Sequence, residues 1–232
     1  DVLSEVIDLF PSEYIHIGGD EAPRDKWKTC PDCQKRIKEN NLKNEAELQS
    51  YVNTRIEKFL NDRGRKLIGW DEILEGGVSQ SATIMSWRGA DGGIAAAKKG
   101  NYAILSPDSH CYLNFYQTTD RKDEQLCIGG YIPLRKIYSL DPYDKLAADE
   151  QKYIMGVQAN LWTEYISTPM QLEYMLLPRL GAIAEIGWSN PAADKKDVEE
   201  FIGRAKELAR YYCAFGWNFG RHFYEDGVQV GW

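Results

Sequence analysis

Histidine is scarce in this chain, with three residues among 232, and no two of them stand at metal-ligand spacing. Cys30-Pro31-Asp32-Cys33 has the spacing of half a zinc site, but no second Cys or His pair follows it, so neither a structural metal nor a cofactor is expected. A local disulfide and two free thiols both remain open for Cys30 and Cys33, and a redox motif lacks the βαβ pattern it would need around it. Apolar runs of about 18 residues are missing, which excludes a membrane-spanning helix. Basic charge is in deficit, 28 Lys and Arg against 35 Asp and Glu for a formal charge of -7. Without a basic face to neutralise phosphates, neither nucleic acid nor an anionic membrane is an expected partner. No internal repeat, low-complexity run or linker rich in Pro, Gly or Ser divides the chain, so residues 1–232 are expected to form one domain. The opening segment Asp1 to Phe10 has no basic start or signal-type core and reads as the last turns of an amphipathic helix, so the true N-terminus is expected elsewhere and the compartment is left open.

What is present is ordinary for a globular protein, 43% hydrophobic and 27% charged. Five short β-rich runs stand out: Tyr14 to Ile17, Lys66 to Trp70, Thr83 to Trp87, Tyr102 to Leu105 and Ile154 to Ala159. Between the first two, Leu48, Val52, Ile56, Phe59 and Leu60 recur at helical spacing over Glu45 to Asn61, with Gly64 as a stop. A short helix over Gly92 to Lys99 ends at Gly100. Strands alternating with helices imply a parallel α/β sheet. Ser106 to Asp149 has little periodicity and reads as a long βα loop of the kind that builds substrate sites. A helix from Thr168, bent at Pro178, should run toward Trp188. A last helix over Asp194 to Cys213 carries a core stripe of Val198, Phe201, Ile202, Ala205, Leu208, Ala209 and Tyr212, and residues past Gly220 form a frayed or docked tail.

The chemistry concentrates at His16-Ile17-Gly18-Gly19-Asp20-Glu21, where two adjacent acids follow a strand. Neighbouring side chains on a strand point to opposite faces, so Asp20 and Glu21 can share one site only if the strand has ended, and Gly18 and Gly19 permit that turn. A solvated loop without chemistry is the plain alternative. Further motifs follow in order: Gly69-Trp70-Asp71-Glu72, Ser86-Trp87-Arg88-Gly89, Tyr112-Leu113-Asn114, and Gly156 to Glu164 with Asn160-Leu161-Trp162-Thr163 inside it. A segment from Pro178-Arg179-Leu180 to Trp188-Ser189 closes the series. Together these motifs resemble the signature of the family 20 glycoside hydrolases, the β-N-acetylhexosaminidases.

The resemblance implies a (β/α)8 TIM barrel in which the five runs are strands four to eight, with the motifs at strand C-terminal ends and strands one to three without a counterpart. It also implies exo-acting, retaining removal of terminal β-linked GlcNAc or GalNAc, the substrate's 2-acetamido oxygen serving as nucleophile. On that pattern Glu21 is the general acid and then the base, and Asp20 orients the acetamido N–H and stabilises the oxazolinium charge. Tyr112 steadies the acetamido oxygen, and Trp70, Trp87 and Trp162, each at a strand end, wall the pocket. Asn114 stands where family members commonly carry an aspartate that binds sugar hydroxyls, and Glu164 matches the acid that grips O4 and O6. A glycan or glycoconjugate ending in N-acetylhexosamine is the implied partner, a second copy could pair along exposed barrel edges, and the family's periplasmic, secreted or lysosome-like settings are all compatible. Two other readings stay open: a conventional retaining glycosidase with Glu21 and Glu164 as acid and nucleophile, and a noncatalytic carbohydrate-binding remnant. Around the site, Asp71 and Glu72 read as capping or support for it, or as a rival catalytic acid. His16 reads as a buried, hydrogen-bonded support, His110 as lining near Tyr112 and His222 as peripheral. Glu164 could also be a helix N-terminal carboxylate, and Arg179, Glu185 and Trp188 fit packing or a structural ion pair.

Overall fold

A computed structural model describes residues 1–122, 124–189, 191 and 193–224. The chain divides into two compact units, the first made of 1–105 and 145–155, the second of 106–144 and 156–232. The first unit begins with helix α1 (Val2–Leu9), strand β1 (Tyr14–His16), helix α2 (Pro31–Glu39), helix α3 (Glu45–Asn61) and strand β2 (Lys66–Trp70). A 3-10 turn over Asp71–Gly76 leads to strand β3 (Thr83–Ser86), helix α4 (Asp91–Lys98) and strand β4 (Ala103–Leu105). Strand β5 (Ile154–Val157) completes a five-stranded sheet in the order β1-β2-β3-β4-β5. The first three pairings are parallel, with Tyr14 opposite Lys66, Trp70 opposite Met85 and Ser86 opposite Leu105.

Local signals account for these elements. The Asn44 side chain caps α3 by accepting from Glu47 N–H at 3.0 Å, and Glu45 and Glu47 complement the positive end of the helix dipole. Leu48 and Leu60 are its buried apolar contacts, and α3 packs on β2 and on the turn after it. Leu67, Ile84, Ala103 and Leu105 are essentially solvent-free, and α4 covers β3 and β4 with Ala96 and Ala97. Strand β2 is buried on both faces from Leu67 to Trp70, as a central strand of a parallel sheet requires.

The second unit carries two short helices, α5 (Asp108–Cys111) and α6 (Leu134–Tyr138), inside the stretch read as a long βα loop. It continues with α7 (Pro169–Leu176), α8 (Arg179–Ser189) and α9 (Val198–Phe215). The expected single helix bent at Pro178 is two helices. Leu177 is extended at φ -101°, ψ 139°, because the proline ring disfavours helical backbone in the residue before it. The final helix starts four residues later than expected: Asp197 Oδ1 caps it by accepting from Glu199 and Glu200 N–H at 2.9 and 3.1 Å. Phe201, Ile202, Ala205, Ala209 and Tyr212 are buried as expected, whereas Leu208 is exposed. Of the tail past Gly220, His222 to Tyr224 form a 3-10 turn, and 225–232 lie outside the described residues.

Candidate active site

In the first unit the backbone turns sharply where β1 stops. Gly18 and Gly19 take φ of +73° and +102°, the left-handed conformations that residues without Cβ adopt freely. Gly18 C=O accepts from Trp70 N–H at 3.0 Å and Gly19 C=O from Gln49 Nε2 at 2.9 Å, so β2 and α3 both hold the turn. Asp20 and Glu21 follow on this loop, both exposed. Glu21 has φ +45°, a region that non-glycine residues occupy at an energetic cost and that clusters at functional sites. Its N–H donates to Glu72 Oε1 at 3.4 Å.

The second acidic pair is buried behind the first. Asp71 and Glu72 open the 3-10 turn after β2 and are 4% and 8% exposed. Asp71 Oδ1 accepts the Trp87 and Arg88 backbone N–H groups at 3.0 and 3.4 Å, and Oδ2 accepts Arg88 Nε at 2.9 Å. Glu72 Oε2 accepts the Trp87 indole N–H at 2.8 Å. Arg88 also donates to Glu75 Oε1 at 3.0 Å, and Arg24, just past Glu21, pairs with the other Glu75 oxygen. Burial opposes the Arg88 charge, but the hydrogen bonds it donates to Asp71 and Glu75 outweigh this and raise the pKa. Arg24, ahead of Arg88, holds Glu75 below the usual carboxylate range. Support, one of the roles open for Asp71 and Glu72, is what their contacts provide.

Trp70 is the last residue of β2 and Trp87 follows β3, as the motifs imply. Ile68, Trp70 and Met85 form a buried cluster with Tyr14, Trp87 and Ile104 packed against it. His16 is exposed rather than buried, because it ends the outermost strand. Its Nδ1 accepts from Gly18 N–H at 3.0 Å and its ring meets Trp70 edge-on at 4.8 Å, so its support goes to the glycine turn and the tryptophan.

In the second unit Tyr112 bridges to Asn160 in parallel fashion, with Leu113 N–H donating to Asn160 C=O and Asn160 N–H to Cys111 C=O, both at 2.8 Å. Tyr112 is buried, and its ring meets Trp162 edge-on at 6.3 Å, so these two expected site residues do come together. Trp162 lies in irregular chain five residues beyond β5 rather than at a strand end. Asn114 is 4% exposed, and its Oδ1 has no donor among the described residues. Glu164 is exposed in a turn. The next helix starts only at Pro169, so it is not a helix N-terminal carboxylate.

The residue that sequence reasoning placed least well is Arg179. Fully buried, it donates through all three guanidinium nitrogens to the carbonyls of Leu113, Phe115, Ile132 and Met175, so it is neither plain packing nor half of an ion pair. Burial pushes its pKa down to about 9, which leaves it charged at neutral pH. Leu113 and Phe115 flank Asn114, and the clue in the sequence is a lone arginine in an apolar helical stretch. Glu185 does form an ion pair, with Arg204 at 2.6 Å. Trp188 is 94% exposed rather than packed. His110 bonds Ser109 through Nδ1 at 2.9 Å, and His222 joins Tyr174 and Glu124 at 2.7 and 3.0 Å. Cys30 and Cys33 are free thiols. Among the described residues no three His, Cys, Asp or Glu side chains are grouped to hold a metal, and no helix is long and apolar enough to cross a membrane.

The family model for the glycosyl hydrolase family 20 catalytic domain matches residues 1–191. A beta-hexosaminidase of Porphyromonas gingivalis is 52% identical over 206 residues, covering 88% of this chain and 26% of that protein. A beta-hexosaminidase of Vibrio furnissii is 34% identical over 189 residues, covering 80% of this chain and 31% of its own. Among solved structures, the GH20 exo beta-N-acetylglucosaminidase of Vibrio harveyi in complex with N-acetylglucosamine superposes with a TM-score of 0.84 at 30% identity, covering 95% of this chain and 35% of that one. The GH20 beta-N-acetylhexosaminidase of Streptomyces coelicolor A3(2) gives 0.76 at 30% identity, covering 100% and 43%. The chain therefore spans less than half the length of these relatives. The parallel sheet and these superpositions make the fold TIM-barrel-type α/β.

Proposed function

Because the chain belongs to glycosyl hydrolase family 20, we propose that it is the C-terminal part of a catalytic (β/α)8 barrel that removes terminal β-linked N-acetylhexosamine from glycans. In this reading β1 to β5 are barrel strands four to eight, and hydrolysis proceeds with retention through an oxazolinium ion formed by the substrate's own acetamido group. Glu21 protonates the leaving oxygen and then activates water, while Asp20 orients the acetamido N–H. Tyr112 donates toward the acetamido oxygen, and Trp70, Trp87 and Trp162 hold the methyl group in a reactive conformation. Asn114 and Glu164 bind sugar hydroxyls, and the buried Asn114 Oδ1 without a donor supports such a contact.

The observation that carries the reading is the acidic pair on the braced left-handed turn at the end of β1, within a chain assigned to this family. The substrate class is supported by the N-acetylglucosamine bound in the Vibrio harveyi relative. The test is turnover of 4-nitrophenyl and phenyl β-glycosides of GlcNAc and GalNAc by the longest natural form of the protein. Glu21→Gln should slow the phenyl glycosides at least about tenfold more than the activated 4-nitrophenyl ones, since only the former need full protonation of the departing oxygen. Equal losses, with glycosylation rate-limiting, would remove Glu21 from the acid role. A glycosyl ester trapped on Glu164 would replace the mechanism with the two-carboxylate one.

A further inference from the structure

Trp87 is held at both ends by neighbouring carboxylates. Asp71 takes its backbone N–H at 3.0 Å and Glu72 its indole N–H at 2.8 Å. A tryptophan ring fastened only by apolar contact can slide in its plane, whereas an indole N–H on a buried carboxylate has one orientation that satisfies both groups. The remaining Glu72 oxygen accepts the backbone N–H of Glu21, 51 residues away in sequence. Arg88 offsets part of this buried negative charge, with Nε 2.9 Å from Asp71 Oδ2 and 3.8 Å from Glu72 Oε2. Arg24 ties the far end of the Glu21 loop to Glu75 on the same 3-10 turn. One carboxylate thus touches both the loop that carries the acidic pair and the aromatic ring that follows a different strand.

We propose that Glu72 is a positioning residue of the glycosidase site, setting the Glu21 loop and the Trp87 ring together through its two oxygens. The inference rests on the hexosaminidase reading above. Glu21 sits at φ +45°, so its peptide has a costly conformation that a hydrogen bond to a buried anion helps to hold. An amide in place of Glu72 has one acceptor and one donor group. It can serve the Glu21 N–H or the Trp87 indole but must turn an N–H toward the other. The acid and the pocket wall should therefore loosen together, although Glu72 itself touches no substrate.

The experiment compares the unmutated protein with Glu72→Gln and Glu72→Ala, in its longest natural form. It reads kcat and KM on phenyl and 4-nitrophenyl β-GlcNAc, the Kd of a GlcNAc-derived thiazoline, and the indole N–H resonance of Trp87. Expected for Glu72→Gln are a loss in kcat about tenfold greater on the phenyl glycoside, thiazoline binding weakened about tenfold or more, and a shifted Trp87 indole resonance. In a Trp87→Phe background, which lacks the indole donor, Glu72→Gln should weaken thiazoline binding no further. Glu72→Ala should show the same pattern more strongly, and if it does not fold, Glu72→Gln alone decides. A purely structural role would lower the active fraction, giving equal losses on both glycosides with KM and thiazoline Kd unchanged. That result, or the absence of either the leaving-group dependence or the thiazoline effect, overturns the inference while leaving the enzyme reading intact. If the unmutated protein hydrolyses none of the four glycosides, the reading fails and the inference with it.

Discussion

At the scale of single residues, the most consequential side chain outside the acidic pairs is Arg179. Its five hydrogen bonds to four carbonyls cross-link the segment around Asn114, the start of α6 and the end of α7. Buried carbonyls left without donors cost about 1–3 kcal/mol each, and here several would be exposed at once. Arg179→Met, which keeps the bulk and removes the donors, should lower unfolding free energy by about 3–5 kcal/mol in urea titrations. A loss below about 1 kcal/mol would mean that water or neighbouring donors replace the guanidinium without cost.

At the scale of elements, the turn after β1 depends on residues that belong to two others. Gly19 needs φ +102°, and a Cβ there would stand 2.5 Å from Ile73 Cγ2 on the turn after β2. Gly19→Ala therefore meets both backbone strain and a clash, and should cost about 2 kcal/mol of stability. Because the same turn carries Asp20 and Glu21, the loss of activity should exceed what the unfolded fraction explains. A melting curve paired with turnover on the activated glycoside, at a temperature where the variant is fully folded, separates the two. Unchanged turnover there would free the acidic pair from its dependence on this turn.

At the scale of the whole molecule, a half-buried histidine links stability to pH. Burial, with Lys136 and Lys196 adding repulsion, lowers the His110 pKa to about 4. The unfolded chain takes up this proton near pH 6.5 and the folded chain only near 4, so the contribution is complete above pH 6.5 and is lost as pH falls through that window. Allowing for solvent screening, it amounts to about 1–2 kcal/mol. His110→Asn should flatten the urea-midpoint profile between pH 6.5 and 4, and an unaltered slope would assign the acid sensitivity to other groups. A second prediction concerns the sheet. β1 and β5 end the strand order among the described residues, and an unpaired parallel edge invites pairing. If the strands are the fourth to eighth of a barrel, a longer natural chain supplying strands one to three should melt higher and hydrolyse β-GlcNAc faster than residues 1–232 alone. Equal activity from the 232-residue monomer would end the incomplete-barrel reading.

The parts of this protein legible in its sequence are those whose causes are local. A 3.6-residue apolar period and the stop at Gly64 mark α3 from Glu45 to Asn61, and the structure has the same bounds. Apolar runs ending in Gly-Gly-Asp-Glu and Gly-Trp-Asp-Glu mark β1 and β2, and Gly18 and Gly19 announce the left-handed turn that follows β1. The break at Leu177 was also local, but the apolar period continues through it and disguised two helices as one. Tertiary structure alone decided which donors the carboxylates meet. Glu72 serves Trp87 and Glu21 over 15 and 51 residues of sequence, and Arg179 reaches Leu113 over 66. Exposure of His16 and Trp188 was decided the same way, by what packs beside them. Backbone propensity and capping act within a turn or two of chain, so composition and period reveal them. A buried charge is satisfied only by whatever the fold brings to it, and no local pattern encodes that partner.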